Sequence, residues 1–264
     1  MKIGIIGLGL IGGSIYKSLE HNSEYEITGI SRTVKGSNIS DNYENLCGCE
    51  LIFVCTPMNV VLNILEKLNG ILPKNAIVTD VCSLKEFVSK KTYNYNFIPS
   101  HPMAGTENSG WDNSFDGLFK NATWVITPKE ESPALSILKK VIVDLGAKPY
   151  LTTPKEHDEA VALISHAPMV VAQAMCKAIE NNELAQNLAS SGFRDTTRLA
   201  LSNIEMAEDM VNFNKQNIEK AQMDMMLQMM MRKMWLLIVW QVEDCRICRI
   251  QAGIPSAESS YHQC

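Results

Sequence analysis

Apolar residues run along this chain in two rhythms. As far as about residue 152, short unbroken apolar runs alternate with stretches in which apolar side chains recur every three or four positions. Beyond Thr153 only the second rhythm persists. An unbroken short run suits a strand buried on both faces, and the wider spacing suits a helix with one buried stripe. Strands are predicted up to Ile6 and over residues 25–30, 51–55, 76–81, 95–99, 122–127 and 147–151. Helices are predicted after the first glycine turn, over 60–68 and around 133–145. Such alternation implies a mostly parallel sheet covered by helices. Helical signal alone then occupies 156–179, 184–189, 203–210 and 215–240. The expected fold class is therefore α/β: a Rossmann-like domain over 1–152, then an all-helical domain over 153–264.

The first strand runs straight into Gly7, Gly9 and Gly12, with Leu10 and Ile11 opening a helix. Gly7 suits a turn that needs permissive torsions, Gly9 lets the main chain approach a pyrophosphate, and Gly12 lets the helix lie close to the sheet. Phosphates would then meet unpaired amides at the helix N-terminus. The second strand ends in Ser31, Arg32 and Thr33 rather than in an acid. An acid would accept from ribose hydroxyls, whereas Ser31 and Arg32 suit a 2'-phosphate, which favours NADP over NAD. Arg32 as a solvated surface residue is the alternative. Few residues separate Arg32 from the next strand, so the usual crossover helix is expected to be short or missing and the adenine edge open. Thr56 and Pro57 follow the third strand and belong at the cofactor edge of the sheet.

Composition narrows the partners. At 264 residues and 46% hydrophobic, the chain can bury a substantial core. A net charge of -5 and a pI near 5.6 offer no basic footprint for nucleic acid. The eight cysteines, including Cys47 with Cys49 and Cys245 with Cys248, do not follow a four-ligand zinc spacing. With no signal peptide before the first strand, a reducing cytoplasmic compartment is expected. The apolar run at residues 234–240 is too short to cross a bilayer. Met223, Met226, Met230 and Met234 recur at three- and four-residue spacings and suit core or homodimer packing. From Glu243 onward the tail has no clean periodicity, and loose packing or disorder is expected.

Catalytic groups in a sheet of this kind sit on loops at the carboxyl ends of strands. Ser83, His101 and Glu107 all follow predicted strands. His101 opens a loop containing Pro102 and Gly105, and is either a catalytic base or a structural histidine. His166 precedes Pro168, which removes an amide donor and kinks a helix where a ligand can approach. A satisfied interdomain histidine fits His166 equally well. His157, nine residues earlier, lies about half a turn out of phase on a regular helix, so the two should not form a metal pair. Residues 190–198 are expected to interrupt the helices with Gly192 and to present Arg194 as a bidentate clamp for a carboxylate. Asp195 would orient that arginine or cap the next helix. A capped turn with surface arginines is the competing reading.

Taken in order, Gly7 to Ser14, Thr79 to Lys85, His101 to Gly110, Ser165 to Pro168 and Ser191 to Arg198 resemble the prephenate/arogenate dehydrogenase family of tyrosine biosynthesis. The resemblance covers most of the chain up to about Asn214. It implies oxidative decarboxylation of a cyclohexadiene that bears a ring hydroxyl, with hydride passing to NAD(P) and no metal required. It further implies that His101 removes the hydroxyl proton, Ser83 helps position the hydroxyl and His101, and Arg194 receives a substrate carboxylate. His166 then lines the pocket near the nicotinamide. Glu107 resembles an acidic pocket position that would attract arogenate's ammonium, or else a gate residue. Arogenate is favoured slightly over prephenate, and a homodimer is expected.

Overall fold

The computed structural model describes residues 1–106 and 108–234. In chain order come β1 (Lys2–Ile6), α1 (Leu10–Leu19), β2 (Glu26–Ile30), the two-residue β3 (Ile39–Ser40), β4 (Leu51–Val54) and α2 (Met58–Leu68). After these lie β5 (Ile77–Asp80), the short α3 (Glu86–Ser89) and β6 (Asn96–Phe97). The six strands form one all-parallel sheet in the order β3-β2-β1-β4-β5-β6. That order reverses direction beside β1, and the crevice at such a reversal is where dinucleotides bind. Both faces are covered, which is why the strands read as unbroken apolar runs. Ile3, Ile5, Leu51 and Phe53 enter one buried cluster, and Ile6, Ile52, Val54 and Val78 the other. The crossover after Arg32 is short, as expected, holding only β3 and one 3-10 turn, Tyr43–Leu46.

The later strands depart from the expected single sheet. β7 (Ser100–Pro102), β8 (Thr123–Ile126) and, after helix α4 (Pro133–Asp144), β9 (Lys148–Leu151) make a second, three-stranded sheet. β7 is antiparallel to β8, and β9 parallel to it. The handover falls at Pro99 and Ser100. Ile98 N–H still bonds Val78 O in the first sheet, but the next donor on that edge, Ser100 N–H, turns to the Asp80 carboxylate at 3.3 Å rather than to a strand carbonyl. Pro99 O, on the opposite edge, accepts from Thr127 N–H at 2.9 Å, which hands the chain over to β8. His101 thereby pairs with Val125.

From Pro154 to Met234 every element is helical: α5 (Pro154–Val161), a π turn (Ala162–His166), α6 (Ala167–Ala178), α7 (Glu183–Leu188), α8 (Ser191–Thr197), a 3-10 turn (Arg198–Leu201) and α9 (Ile204–Met234). A reciprocal cap starts α5, with Thr153 Oγ1 accepting from Glu156 N–H and the Glu156 carboxylate accepting from Thr153 N–H. Three expectations are corrected here. The helix predicted over 156–179 is broken by the π turn, because Pro168 cannot donate to Ile164, and Ala167 N–H instead reaches Ala162 O. Residues 191–197 are helical despite Gly192. As far as Met234, the segments predicted at 203–210 and 215–240 form one element, kinked at Asn214 (φ -122°, ψ 21°). Met223, Met226 and Met230 are exposed on α9. The side chain of Met234, the rest of the apolar run to Trp240, Cys245 with Cys248, and the tail lie outside the described residues.

Gly12 shows how tightly α1 lies on the glycine turn, since a Cβ there would stand 2.0 Å from Gly7 O. Helix propensity alone favours alanine over glycine by up to about 1 kcal/mol. Backbone overlap costs about 1–3 kcal/mol and outweighs it. Gly12→Ala is therefore expected to lower the urea midpoint, and a raised midpoint would show that the close approach is absent.

Candidate active site

The carboxyl ends of β1, β2 and β4 carry the first group of expected residues. Gly7 adopts φ +87°, and a Cβ there would meet Cys55 O at 2.5 Å. Gly9 is the N-cap of α1 with no side-chain cap, and a Cβ built on it meets nothing within 4 Å. The amides of Leu10, Ile11 and Gly12 thus open the helix beside free space, an arrangement suited to a pyrophosphate. Thr56 Oγ1, just past β4, is buried without a hydrogen-bond partner, and Pro57 beside it is exposed. A cradle that a side chain would fill and an orphaned hydroxyl both fit a dinucleotide in this crevice. At the end of β2, Ser31 is buried and its Oγ accepts from Thr33 and Val34 N–H at 3.3 and 3.0 Å. Ser31 therefore shapes the turn that leaves Arg32 and Thr33 exposed.

The second group converges on the start of β7. Lys85 and Asp80 are fully buried and form an ion pair. Lys85 Nζ also donates to Ser100 O at 2.7 Å, and Asp80 accepts from the backbone N–H of Cys82 and Ser100. Ser83 is half-buried in the bend this pair closes, and His101 follows directly on Ser100. His101 Nδ1 lies 2.9 Å from His157 Nε2, and His157 Nδ1 lies 2.7 Å from Asp158 Oδ1. Asp158 also accepts from Lys85 N–H at 2.8 Å and Glu86 N–H at 2.9 Å. α5 is thus tied to the bend that carries Ser83.

His166 joins the same cluster. It is buried, and its Nδ1 lies 3.2 Å from Asn214 Nδ2, which also donates to Asp158 O at 2.9 Å. The expectation that His157 and His166 face apart rested on a regular helix. The π turn adds the rotation of roughly one residue, about 100°, and both side chains are buried. Burial, followed by His157, Lys85 and His166, holds His101 well below its usual 6.5. Burial takes His166 down to about 4, although Asp158 opposes the shift. Both rings are therefore neutral at neutral pH.

Arg194 stands apart from this cluster. It lies on α8, largely exposed, and its ion-pair neighbour among the described residues is Asp195 at 3.8 Å. Glu107 lies outside the described residues. Sequence reasoning overlooked Asp80, Lys85, Asp158 and Asn214 and set His157 aside. The adjacent pair His157-Asp158, one turn after a capping box, was the available signal.

Comparison with known proteins places this arrangement. A model described as prephenate dehydrogenase, nucleotide-binding domain, matches residues 17–151, and one described as prephenate dehydrogenase, dimerization domain, matches 153–240. The chain is 31% identical over 238 residues to a prephenate dehydrogenase of Bacillus subtilis, covering 81% of this chain and 64% of that relative's length. The structure of Synechocystis arogenate dehydrogenase superimposes with a TM-score of 0.77 at 35% identity, covering 96% of this chain and 98% of that one. Prephenate dehydrogenase from A. aeolicus, in complex with hydroxyphenyl propionate and NAD+, gives 0.79 at 26% identity, covering 90% and 91%.

The neutral state of His166 has a stability signature. Its folded-state value of about 4 lies below the ordinary 6.5, so as pH falls the unfolded chain takes up the proton first. Stability held above 6.5 is lost as pH drops toward about 4. The stability gap between the native chain and His166→Asn is expected to narrow across that window in urea titrations. A gap independent of pH would mean that His166 is not held neutral.

Proposed function

The chain belongs to the prephenate dehydrogenase family, and from that premise we propose that it is an arogenate dehydrogenase, converting L-arogenate to L-tyrosine and carbon dioxide with hydride transfer to NADP. The family's enzymes are NAD(P)-dependent oxidoreductases. The observation that carries the catalytic reading is His101: a neutral imidazole on β7, held by His157 next to the bend bearing Ser83. When bound, NAD(P) supplies the hydride acceptor. His101 takes the proton of the substrate's ring hydroxyl, and Ser83 positions that hydroxyl. As the carbon–carbon bond to the ring carboxylate breaks, its electron pair restores the aromatic ring, carbon dioxide leaves, and the phenolate oxygen takes back the proton held on His101. His166 lines the pocket. Arg194 on α8 receives a substrate carboxylate, exchanging a weak exposed contact with Asp195 for a charge-assisted pair.

Gly7, Gly9, Leu10, Ile11 and Gly12 hold the pyrophosphate, Thr56 and Pro57 border the cofactor, and Ser31, Arg32 and Thr33 take the 2'-phosphate. Support for NADP is the exposed Arg32 and the lack of an acid at the end of β2. Support for arogenate is the 35% identity to the Synechocystis arogenate dehydrogenase, together with an acid at position 107 that can attract an ammonium. Prephenate is the second reading, favoured by the Bacillus subtilis relative. We place the dinucleotide-binding domain at 1–152, the substrate and dimerisation domain at 153–264, and the protein in the cytoplasm. A homodimer is supported by the second domain's family model and by exposed Leu184, Leu188, Leu201 and Ile204. Sedimentation equilibrium giving a monomer's mass would refute it.

Purified protein, offered arogenate or prephenate with NADP or NAD, is expected to turn over fastest with arogenate and NADP, followed by absorbance and product identification. A folded, cofactor-binding protein inert with all four pairs would overturn the enzyme reading. His101→Asn should lower kcat by about 10²–10⁴, the range of general-base catalysis, with cofactor affinity retained. Arg194→Gln should raise KM, and an unaltered KM would remove it from the carboxylate site.

A further inference from the structure

Two histidines at one site serve an oxidation best if one accepts a proton while the other stays a neutral donor, and the groups behind them decide which is which. Start from Asn214. The backbone carbonyl of Asp158 can only accept, so the atom 2.9 Å from it must be the Asn214 amide nitrogen. Asn217 Nδ2 confirms that orientation by donating to Asn214 Oδ1 at 2.8 Å. The same nitrogen therefore donates its other hydrogen to His166 Nδ1 at 3.2 Å. His166 accepts on Nδ1, and as a neutral ring it carries its hydrogen on Nε2.

The second chain starts from Asp158. Its Oδ1 accepts from Lys85 N–H and its Oδ2 from Glu86 N–H, so both oxygens act as acceptors, as in a carboxylate. His157 Nδ1, 2.7 Å from Oδ1, must then donate. With that hydrogen given to Asp158, His157 Nε2 is placed to accept from His101 Nδ1–H at 2.9 Å. The hydrogen of His101 sits on Nδ1, and no described residue bonds its Nε2 lone pair.

We propose that His157, Asp158 and Asn214 are positioning residues that impose opposite tautomers on the two site histidines: His101 with a free lone pair on Nε2, His166 with a hydrogen there. The catalytic meaning of this assignment rests on the dehydrogenase reading. A proton arriving on His101 Nε2 would make an imidazolium whose Nδ1–H already points at His157, which in turn donates to Asp158. The logic is that of a base oriented by a carboxylate, extended by one imidazole. The groups facing His101 are His157, His166 and Lys85, and the Lys85 charge is matched by Asp80. The kink in α9 belongs to the same device, because it accompanies the buried Asn214.

The test is the tautomeric state itself, read by long-range proton–nitrogen correlation on native protein labelled with ¹⁵N-histidine. The five histidines are assigned by single His→Gln substitutions. Expected are Nδ1–H for His101 and His157 and Nε2–H for His166 at neutral pH. A hydrogen on His101 Nε2, or a doubly protonated His157 donating to His101, overturns the proposal. No turnover is needed for this readout, so an inert protein showing the expected tautomers would refute the dehydrogenase reading and leave this one standing. In the active protein, His157→Leu should lower kcat about tenfold to a hundredfold with KM within about twofold. His157→Gln, whose amide oxygen can accept from His101, should recover most of that loss. Equal losses in both variants would count against the relay.

Discussion

A buried ion pair holds the architecture of the site together. Lys85 and Asp80 are both sealed from solvent, and each also binds the backbone at Ser100. Removing one partner of such a pair costs about 3–5 kcal/mol, because it strands the other charge in a low-dielectric interior. The benefit here is geometric more than energetic. The pair fixes the end of β5 to the beginning of β7, which are twenty residues apart in sequence. Ser100 adds a second tie, since its hydroxyl donates to Asp80 O and accepts from the buried Trp124 indole. The bend with Ser83 and the strand with His101 therefore cannot drift independently.

That constraint lies next to a second one of a different kind. The glycine turn after β1 works by leaving atoms out: Gly7 and Gly12 let backbone lie against backbone, while Gly9 faces empty space. Packing on one side and vacancy on the other place a row of helix amides beside the crevice where the strand order reverses. The region proposed for the cofactor is thus defined by backbone, and the chemistry proposed beside it by side chains on the second sheet and on α5.

Asp158 gathers the second of these regions. Its carboxylate holds the amides of Lys85 and Glu86, its neighbour His157 reaches His101, and its carbonyl holds Asn214. One residue ties the bend after β5 to the helical segment. The π turn and the kink in α9 are departures from regular helix that this convergence requires, and both fall beside residues of the cluster. Irregularity at a functional position is a cost that regular packing elsewhere must offset.

Local pattern was enough to determine much of this protein. Unbroken apolar runs marked β1, β4, β5 and β8, because a strand buried on both faces has no polar side to show, while β3 and β7, which carries His101, gave no such run. The glycines from Gly7 to Gly12 marked the tight turn between β1 and α1, because few other residues tolerate that backbone and that approach. His101, Ser83 and His166 stood out by position after strands or before a proline. Other features depended on contacts between residues far apart in the chain, which periodicity does not encode. Ser100 left the first ladder for a second sheet, the π turn brought His157 and His166 to one interior, and a kink at Asn214 joined two predicted helices as far as Met234. The sequence by itself settled most strands of the first sheet, the helical character of the second half and what kind of ligand the first turn suits. Only the tertiary structure decided which side chains stand behind His101, because hydrogen-bond partners are chosen by distance in space and not by spacing along the chain.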